Sequence, residues 1–331
     1  MTNIKVQRID NVTDNDILRL VECQKFYPYD YIRGIDKISL VSYLYSDIQK
    51  LIQRKSVYIF GAFDNKDNVC GLLLIEYLNW DSEIFGFPCA RIHYLLVEEG
   101  ENAYGIKKIL LSETLVWAKK QNIKFMDLYS HPLDLSRIKA IVENHFDLIA
   151  THLHHVWDFR THFKLEHKIT TPIRPATLED MDRLINIDFS IFPKHSRFYL
   201  DEKLRATNRV PVMFQQWLKN SLLGSRAKGV WIVEMDDQIV GYITSVEDES
   251  TKDTLGIRIT KGDMVGVLPN TRNKGIYTDM VAEMIYWAQD YGADILEVAI
   301  HVCNAPANSL TSQLQSRIWG AHHNFHWHAE E

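Results

Sequence analysis

Residues 263–277 constrain this chain more than any other segment, because an apolar strand there runs into a turn that begins a helix. Gly275 lets the backbone approach a ligand closely. The helix that begins near Ile276 points its first N–H groups and its positive dipole end at the turn. Arg272 and Lys274 add fixed positive charge. The segment has the chemistry of a phosphate-binding turn, and an ordinary strand-to-helix turn is the alternative interpretation.

The pattern Arg272-x-x-Gly275-x-Tyr277 resembles the pyrophosphate loop of the GNAT acyltransferases, which reads Q/R-x-x-G-x-G/A. It departs from that pattern at Tyr277, where the family has a small residue. In this family the loop holds the diphosphate of acetyl-CoA, so the resemblance implies acetyl-CoA as the acyl donor. The implied cofactor-binding residues in this segment are Val267, Leu268, Arg272, Asn273, Lys274, Gly275, Ile276 and Tyr277.

The elements after the turn have the order of the second half of a GNAT domain. A helix ends near Gly292, a buried strand covers 295–302, a short helix follows, and a strand covers 317–327. GNAT domains have an Asn after the fifth strand and a short helix along the cofactor. The resemblance therefore implies that Asn304 and Asn308 contact the pantetheine arm.

The first half of the chain repeats this layout in a weaker form, with a hairpin at 56–75 and a strand at 90–97. Residues 98–102, Glu-Glu-Gly-Glu-Asn, replace the phosphate turn, and their carboxylates would repel a diphosphate. We expect an α/β (α+β) protein of tandem GNAT folds, each with a mixed central sheet flanked by helices. Residues 1–165 form a degenerate GNAT-like domain and 171–331 the acetyl-CoA-binding domain. An unrelated α/β domain is the alternative for the first half.

Residues 78–88 resemble the opening of the dTDP-fucosamine acetyltransferase family, which acetylates a sugar nucleotide. The segment around Arg197 and the Phe214-x-x-Trp217 pair are similar to the substrate-side helices of that family. The resemblance implies a nucleotide-linked amino sugar as the acceptor. We assign Arg197, Tyr242 and His326 to the substrate side. Another amine, such as an amino acid, a polyamine or an antibiotic, is the alternative acceptor.

Direct acetyl transfer needs a polarised thioester carbonyl, a base for the amine and an acid for the departing thiolate. Backbone N–H groups around Val267 and Leu268 are the candidates for polarising the thioester carbonyl. The predicted base is His301, with Asp263 second, and a structural hydrogen bond is the alternative role for each. The tyrosine that GNAT enzymes use as the acid is replaced by Thr311, a far weaker acid.

That replacement leaves three interpretations open. Another group, such as Cys303, Tyr277 or water, protonates the thiolate; the thiolate leaves unassisted; or the chain binds acyl-CoA without catalysis. No metal site is expected, because no carboxylate or Cys joins the histidines of the last strand at ligand spacing.

Composition excludes several other classes of protein. The 331 residues have a net charge of −6, which does not favour nucleic-acid binding. Four scattered cysteines, Cys23, Cys70, Cys89 and Cys303, favour neither a disulfide framework nor a zinc site. With no apolar run of membrane-spanning length and no signal-peptide pattern, we expect a cytoplasmic protein with no membrane partner. A homodimer is compatible with the sequence.

Overall fold

A computed structural model describes residues 4–187 and 195–329. By its contacts the chain divides into two compact units. Unit 1 comprises Met1–Thr151 and Ala321–Glu331, and unit 2 comprises His152–Gly320.

Unit 1 is a mixed sheet with helices. Strands β1 to β4 pair as antiparallel neighbours in chain order, and β4 pairs with β5 in parallel. Its elements are β1 Lys5–Ile9, α1 Asp14–Glu22, α2 Lys37–Ile52, β2 Val57–Phe63, β3 Val69–Tyr77, α3 Asn79–Phe85, β4 Cys89–Val97, α4 Ala103–Lys120, β5 Phe125–Ser130 and α5 Leu135–Glu143. Strand β6, Asp147–Asp158, begins here and continues into unit 2.

Unit 2 has the same order of pairing. Strands β7 to β10 are antiparallel neighbours, and β10 pairs with β11 in parallel. Its elements are β7 Ile173–Pro175, α6 Met181–Ile185, α7 Arg197–Leu200, α8 Glu202–Ala206, α9 Val210–Leu222, β8 Gly229–Met235, β9 Gln238–Asp248, α10 Ser250–Leu255, β10 Ile259–Val267, α11 Ile276–Asp290, β11 Ile295–His301 and α12 Ala305–Gln313. Strand β12, Arg317–His328, begins here and continues into unit 1.

The last strand of the first half of the chain, β6, pairs with the sheet of unit 2, and the last strand of the second half, β12, pairs with the sheet of unit 1. Residues 152–158 of β6 pair with β11, and residues 323–328 of β12 pair with β5, both in antiparallel register. Trp157 of β6 is buried in the core of unit 2, whereas Phe325 and Trp327 of β12 are buried in the core of unit 1. The predicted domains 1–165 and 171–331 thus stay a proposal. By contacts, most of β6 belongs to unit 2 although it lies within 1–165, and most of β12 belongs to unit 1 although it lies within 171–331.

Local sequence signals account for the helices that flank the turn. Met280, Met284 and Ala288 are buried at helical spacing along α11, and Gly292, at φ +77°, lies just beyond its end. Asn304 caps α12 by accepting a hydrogen bond from the Ala307 N–H. The two helices contact each other, so both lie on one face of the unit 2 sheet.

A gap opens between the two parallel strands of each unit. The β10–β11 ladder ends at the pair Gly262 and Val298, although β10 continues to Val267 and β11 to His301. In unit 1 the β4–β5 ladder ends at Ile92 in the same way. Just past each of these points one extra residue forms a bulge, on β10 in unit 2 and on β4 in unit 1. The two parallel strands therefore diverge toward their carboxyl ends in both units.

Candidate active site

The turn between β10 and α11 has the backbone geometry that the sequence predicts for a phosphate cradle. Asn273 and Gly275 have left-handed φ angles of +63° and +80°. Gly275 is the N-cap residue of α11, and no side chain caps the helix there. A Cβ on Gly275 would meet no protein atom within 4 Å, so the space in front of the glycine is open. The residues present therefore fit a bound diphosphate.

Positive charge at this turn is exposed, and the buried carboxylate of Asp279 in the following helix already has hydrogen-bond partners. Arg272 and Lys274 are exposed, and Arg272 Nε donates to the Val267 carbonyl at 3.2 Å. Asp279, in the first turn of α11, accepts hydrogen bonds from His167, Thr170 and Thr171. Burial alone would raise the pKa of Asp279, but the hydrogen bonds hold it well below its ordinary value. The segment 167–171 is thereby fastened to α11.

The backbone of β10 faces the gap with alternate residues. The Leu268 N–H donates to the Val240 carbonyl of β9 at 2.8 Å, so it points away from the gap. Because antiparallel pairs alternate, the N–H and C=O groups of Val265 and Val267 point to the opposite side, where β11 has diverged. Of the two N–H groups predicted to polarise a thioester, only that of Val267 faces the gap.

The two predicted pantetheine contacts are engaged within the protein. Asn308 Nδ2 donates to the carbonyl oxygens of His301 and Asn304 at 3.0 Å, and its Oδ1 lies 2.8 Å from His155 Nε2. Asn304 Oδ1 caps α12. These bonds hold α12 against the ends of β11 and β6. The contact of either amide with pantetheine stays a prediction.

Tyr277 and Thr311, the two departures from the family pattern, contact each other. The Tyr277 hydroxyl lies 3.1 Å from Thr311 Oγ1, which links the first turn of α11 to α12. Thr311 is fully buried. Burial raises the pKa of Tyr277, and the hydrogen bond with Thr311 offsets part of that rise. The phenol is therefore protonated at neutral pH.

The face of the sheet opposite α12 has a cluster of imidazoles and one carboxylate. Glu297 and His301 alternate on this face of β11, with His152 and His154 on the same face of β6. The Glu297 carboxylate is 3% exposed and hydrogen-bonds to His154 Nδ1. An imidazole that donates from Nδ1 to a carboxylate has its basic lone pair on Nε2.

His301 has the opposite tautomer. Its Nδ1 accepts a hydrogen bond from the Cys303 N–H at 3.1 Å, so the neutral ring has its proton on Nε2. The same turn occurs in unit 1, where the Leu133 N–H donates to His131 Nδ1 at 3.1 Å. Burial and the neighbouring His195 lower the pKa of His301. The repeat of this bond after β5 and β11 indicates a structural turn, and a role of His301 as base stays a prediction.

Asp263, the second predicted base, is the partner of an arginine. Arg226 Nε and Nη2 donate to its two carboxylate oxygens at 2.8 and 2.7 Å. The guanidinium also lies over the Trp217 ring, 4.3 Å from the ring centre. Both carboxylate oxygens are therefore engaged by one guanidinium. Asp263 therefore has the geometry of a structural ion pair at the β10 bulge.

The three predicted substrate residues belong to different parts of the structure. Arg197 and Tyr242 are buried in unit 2, with the Arg197 guanidinium 4.2 Å from the centre of the Phe198 ring. Burial, with the charges of Asp263 and Tyr199, raises the pKa of Tyr242 well above its ordinary value. His326 belongs to unit 1, where it makes an edge contact with Phe125 at 4.9 Å. Their substrate role stays a prediction.

In unit 1, the segment after β4 corresponds to the phosphate turn, and its polar groups bond to other side chains of the chain. Arg19 pairs with Glu98, and Lys25 pairs with Glu99 at 3.0 Å. Gln24 Nε2 donates to the Val97 carbonyl at 3.1 Å, at the end of β4. The fully buried Lys107 of α4 donates to Ser136 of α5 at 2.8 Å. That the first domain binds no cofactor stays a prediction.

Sequence reasoning missed His154. His154 lies within the predicted first domain, 1–165, so its position in a strand of alternating residues does not connect it with the site of the second domain. Its partner Glu297 is 143 residues away along the chain. The alternation of His152 and His154 with apolar Leu153 was the available signal.

Comparison with known proteins identifies the domain. Residues 182–314 match the model of the acetyltransferase (GNAT) family. The chain therefore contains a GNAT acetyltransferase domain, which confirms the prediction of a GNAT-type N-acyltransferase. No curated protein sequence matches the chain.

Three solved structures have the same fold over nearly the whole chain. One is a GCN5-related glucosamine N-acetyltransferase region of a fungal multi-domain GH3 β-N-acetylglucosaminidase, with 14% identity, a TM-score of 0.63, and coverage of 99% of this chain and 38% of that protein's length. A tandem GNAT protein from the clavulanic acid biosynthesis pathway has 13% identity, a TM-score of 0.58 and 99% coverage of both chains.

A GCN5-related N-acetyltransferase from Sphaerobacter thermophilus has 12% identity and a TM-score of 0.61, over 98% of this chain and 95% of that one. These similarities confirm the predicted tandem GNAT fold. Among the residues that the structure describes, no helix is long and apolar enough to cross a membrane.

Proposed function

We propose that unit 2 transfers the acetyl group of acetyl-CoA to the amino group of a small molecule by direct attack. The observation that carries this proposal is the gap between β10 and β11, with the open Gly275 turn after one strand and the Glu297–His154 pair on the face of the other. Acetyl-CoA supplies an activated thioester, and every other contribution comes from residues of this chain.

Each part of the site has a separate task. Backbone N–H groups of the 272–277 turn, with Arg272 and Lys274, bind the diphosphate. The Val267 N–H donates to the thioester carbonyl oxygen as negative charge develops there. His154 accepts the amine proton at Nε2, directly or through one water, because Glu297 holds the ring in the tautomer that leaves this nitrogen basic.

For the acceptor we propose an amino sugar, with a nucleotide-linked sugar first. Two observations support this class. One structural relative is a glucosamine N-acetyltransferase region. In addition, the half-buried Trp217 ring, which packs on the buried rings of Phe198 and Phe214 in unit 2, offers apolar surface for a sugar. The resemblance of residues 78–88 to dTDP-fucosamine acetyltransferase favours the nucleotide-linked form. An amino acid, a polyamine or an antibiotic is the competing acceptor.

The replacement of the family's tyrosine by Thr311 favours a second candidate function, binding of acyl-CoA without transfer, because threonine is too weak an acid to take the place of a phenol. A thiol-release assay with acetyl-CoA and a panel of amino sugars, amino acids, polyamines and aminoglycosides separates the two. Thiol release that depends on an amino sugar supports the proposal. Acetyl-CoA binding without release for any amine would favour the binding protein instead.

A further inference from the structure

The contact between Tyr277 and Thr311 bears on how the thiolate leaves. Helix α11 follows β10 and α12 follows β11, so the two helices begin beyond the ends of the two diverging strands. Tyr277 and Thr311 meet between these helices at 3.1 Å, on the helix side of the sheet. The His154–Glu297 pair lies on the opposite face. An acid and a base placed in this way lie on opposite sides of the gap.

The two departures from the family pattern compensate each other. A tyrosine stands at 277 where the family has a small residue, and a threonine stands at 311 where the family has its tyrosine. The hydroxyl groups of the two residues are in hydrogen-bond contact. The phenol that α12 lacks is therefore delivered beside Thr311 by α11.

Resting on the proposed acetyl transfer, we propose that Tyr277 is the catalytic acid that protonates the departing thiolate, with Thr311 as its positioning residue. As the C–S bond breaks, its electron pair goes to sulfur, and the sulfur takes the proton of the Tyr277 hydroxyl. The phenolate then regains a proton from water. The proton of the amine leaves separately through His154.

The environment of the phenol suits this task. Because the phenol stays protonated at neutral pH, it is a donor at every turnover. Thr311 is fully buried and immobilised in α12, so it fixes the direction of the phenol. Phenylalanine has the same ring as tyrosine without the hydroxyl, so Tyr277→Phe removes only the proton donor.

The test compares Tyr277→Phe with the wild-type protein on two acyl donors. With acetyl-CoA, kcat should fall on the order of a hundredfold, the usual contribution of a positioned acid. With S-acetyl-4-nitrothiophenol, whose thiolate leaves without help, the deficit should largely vanish. The affinity for CoA, measured by calorimetry, should not change. Thr311→Val, which keeps the shape of the side chain, should lower kcat only severalfold.

A relocation variant sharpens the test. Tyr277→Ala should be as slow as Tyr277→Phe, and the double variant Tyr277→Ala/Thr311→Tyr should recover much of the rate with acetyl-CoA. An unchanged kcat in Tyr277→Phe, or an equal loss with both donors, would overturn the assignment. So would a double variant that binds CoA normally but is no faster than Tyr277→Ala. If the wild-type protein releases no thiol with any amine, the proposed acetyl transfer itself has failed.

Discussion

The hydrogen bond made by Nδ1 distinguishes the two histidines closest to the proposed chemistry. His154 Nδ1 bonds to the Glu297 carboxylate, so its basic nitrogen is Nε2. His301 Nδ1 accepts from the Cys303 backbone, so its Nε2 is a donor. Strand alternation places Glu297 and His301 on one face of β11, but it does not show which nitrogen of a ring has the proton. A tautomer depends on partners that the sequence does not place next to each other.

For this reason His154→Gln should lower kcat/KM by a hundredfold or more, whereas His301→Gln should lower it less than tenfold. Glu297→Gln should lower kcat/KM about as much as His154→Gln, because the amide can donate to Nδ1 and the neutral ring then has its proton on Nε2. Initial rates with acetyl-CoA and the best acceptor of the panel provide the measurement. The reverse order of His154 and His301 would restore His301 as the base.

His152 makes the stability of the protein depend on pH. Burial, followed by the charges of His301, Arg197 and His154, lowers the pKa of His152 from 6.5 to about 4. Between these values the unfolded chain binds more protons than the folded one, so stability rises with pH across this window. The stabilisation is complete above about pH 6.5 and is lost as the pH falls to about 4. One pKa unit is worth 1.36 kcal/mol, so this difference is worth at most about 3 kcal/mol.

Urea unfolding at several pH values between 4 and 7 measures this dependence. His152→Gln should flatten the slope of the unfolding free energy against pH. A variant with the slope of the wild-type protein would show that His152 does not titrate in this way, and that another buried histidine, such as His155, is responsible.

At the scale of elements, the strand–turn–helix segment at 263–277 could be predicted because its signals are local. The apolar run, the left-handed glycine and the helix pattern all lie within the segment, and the structure has each of them. The pairing of β6 and β12 could not be predicted in the same way. Both strands have alternating apolar and polar residues, and partners more than a hundred residues apart are not indicated by alternation.

Gly275→Ala tests the turn. The new Cβ would enter the open space that the diphosphate needs, so we expect the Kd for CoA to rise at least about tenfold. Gly256→Ala is a matched control, because Gly256 also has a left-handed φ, +71°, and open space around it. It precedes β10, whereas the turn follows that strand. An equal rise in the Kd for CoA in both variants would show that backbone strain, and not a clash with the ligand, lowers the affinity.

At the scale of the whole molecule, the exchange of β6 and β12 makes each half depend on the other for a strand. The fragment 171–331 lacks β6, so β11 loses its antiparallel neighbour and the core loses Trp157. The fragment 147–320 retains β6 and omits the part of β12 that belongs to unit 1. We therefore expect 147–320 to unfold cooperatively on heating and 171–331 to be insoluble or to lack a transition. A cooperative transition in 171–331 alone would show that the predicted boundaries do define folding units.

We expect that unit 2 of the tandem fold binds the acyl donor and that unit 1 does not. Calorimetric titration of the full chain with CoA measures this directly, because it gives the number of sites. We expect one site per chain, with its affinity reduced by Gly275→Ala and unchanged by substitution of Glu98 or Glu99 in unit 1. Two equivalent sites per chain, or no binding at all, would show that the acyl donor is not bound by unit 2 alone.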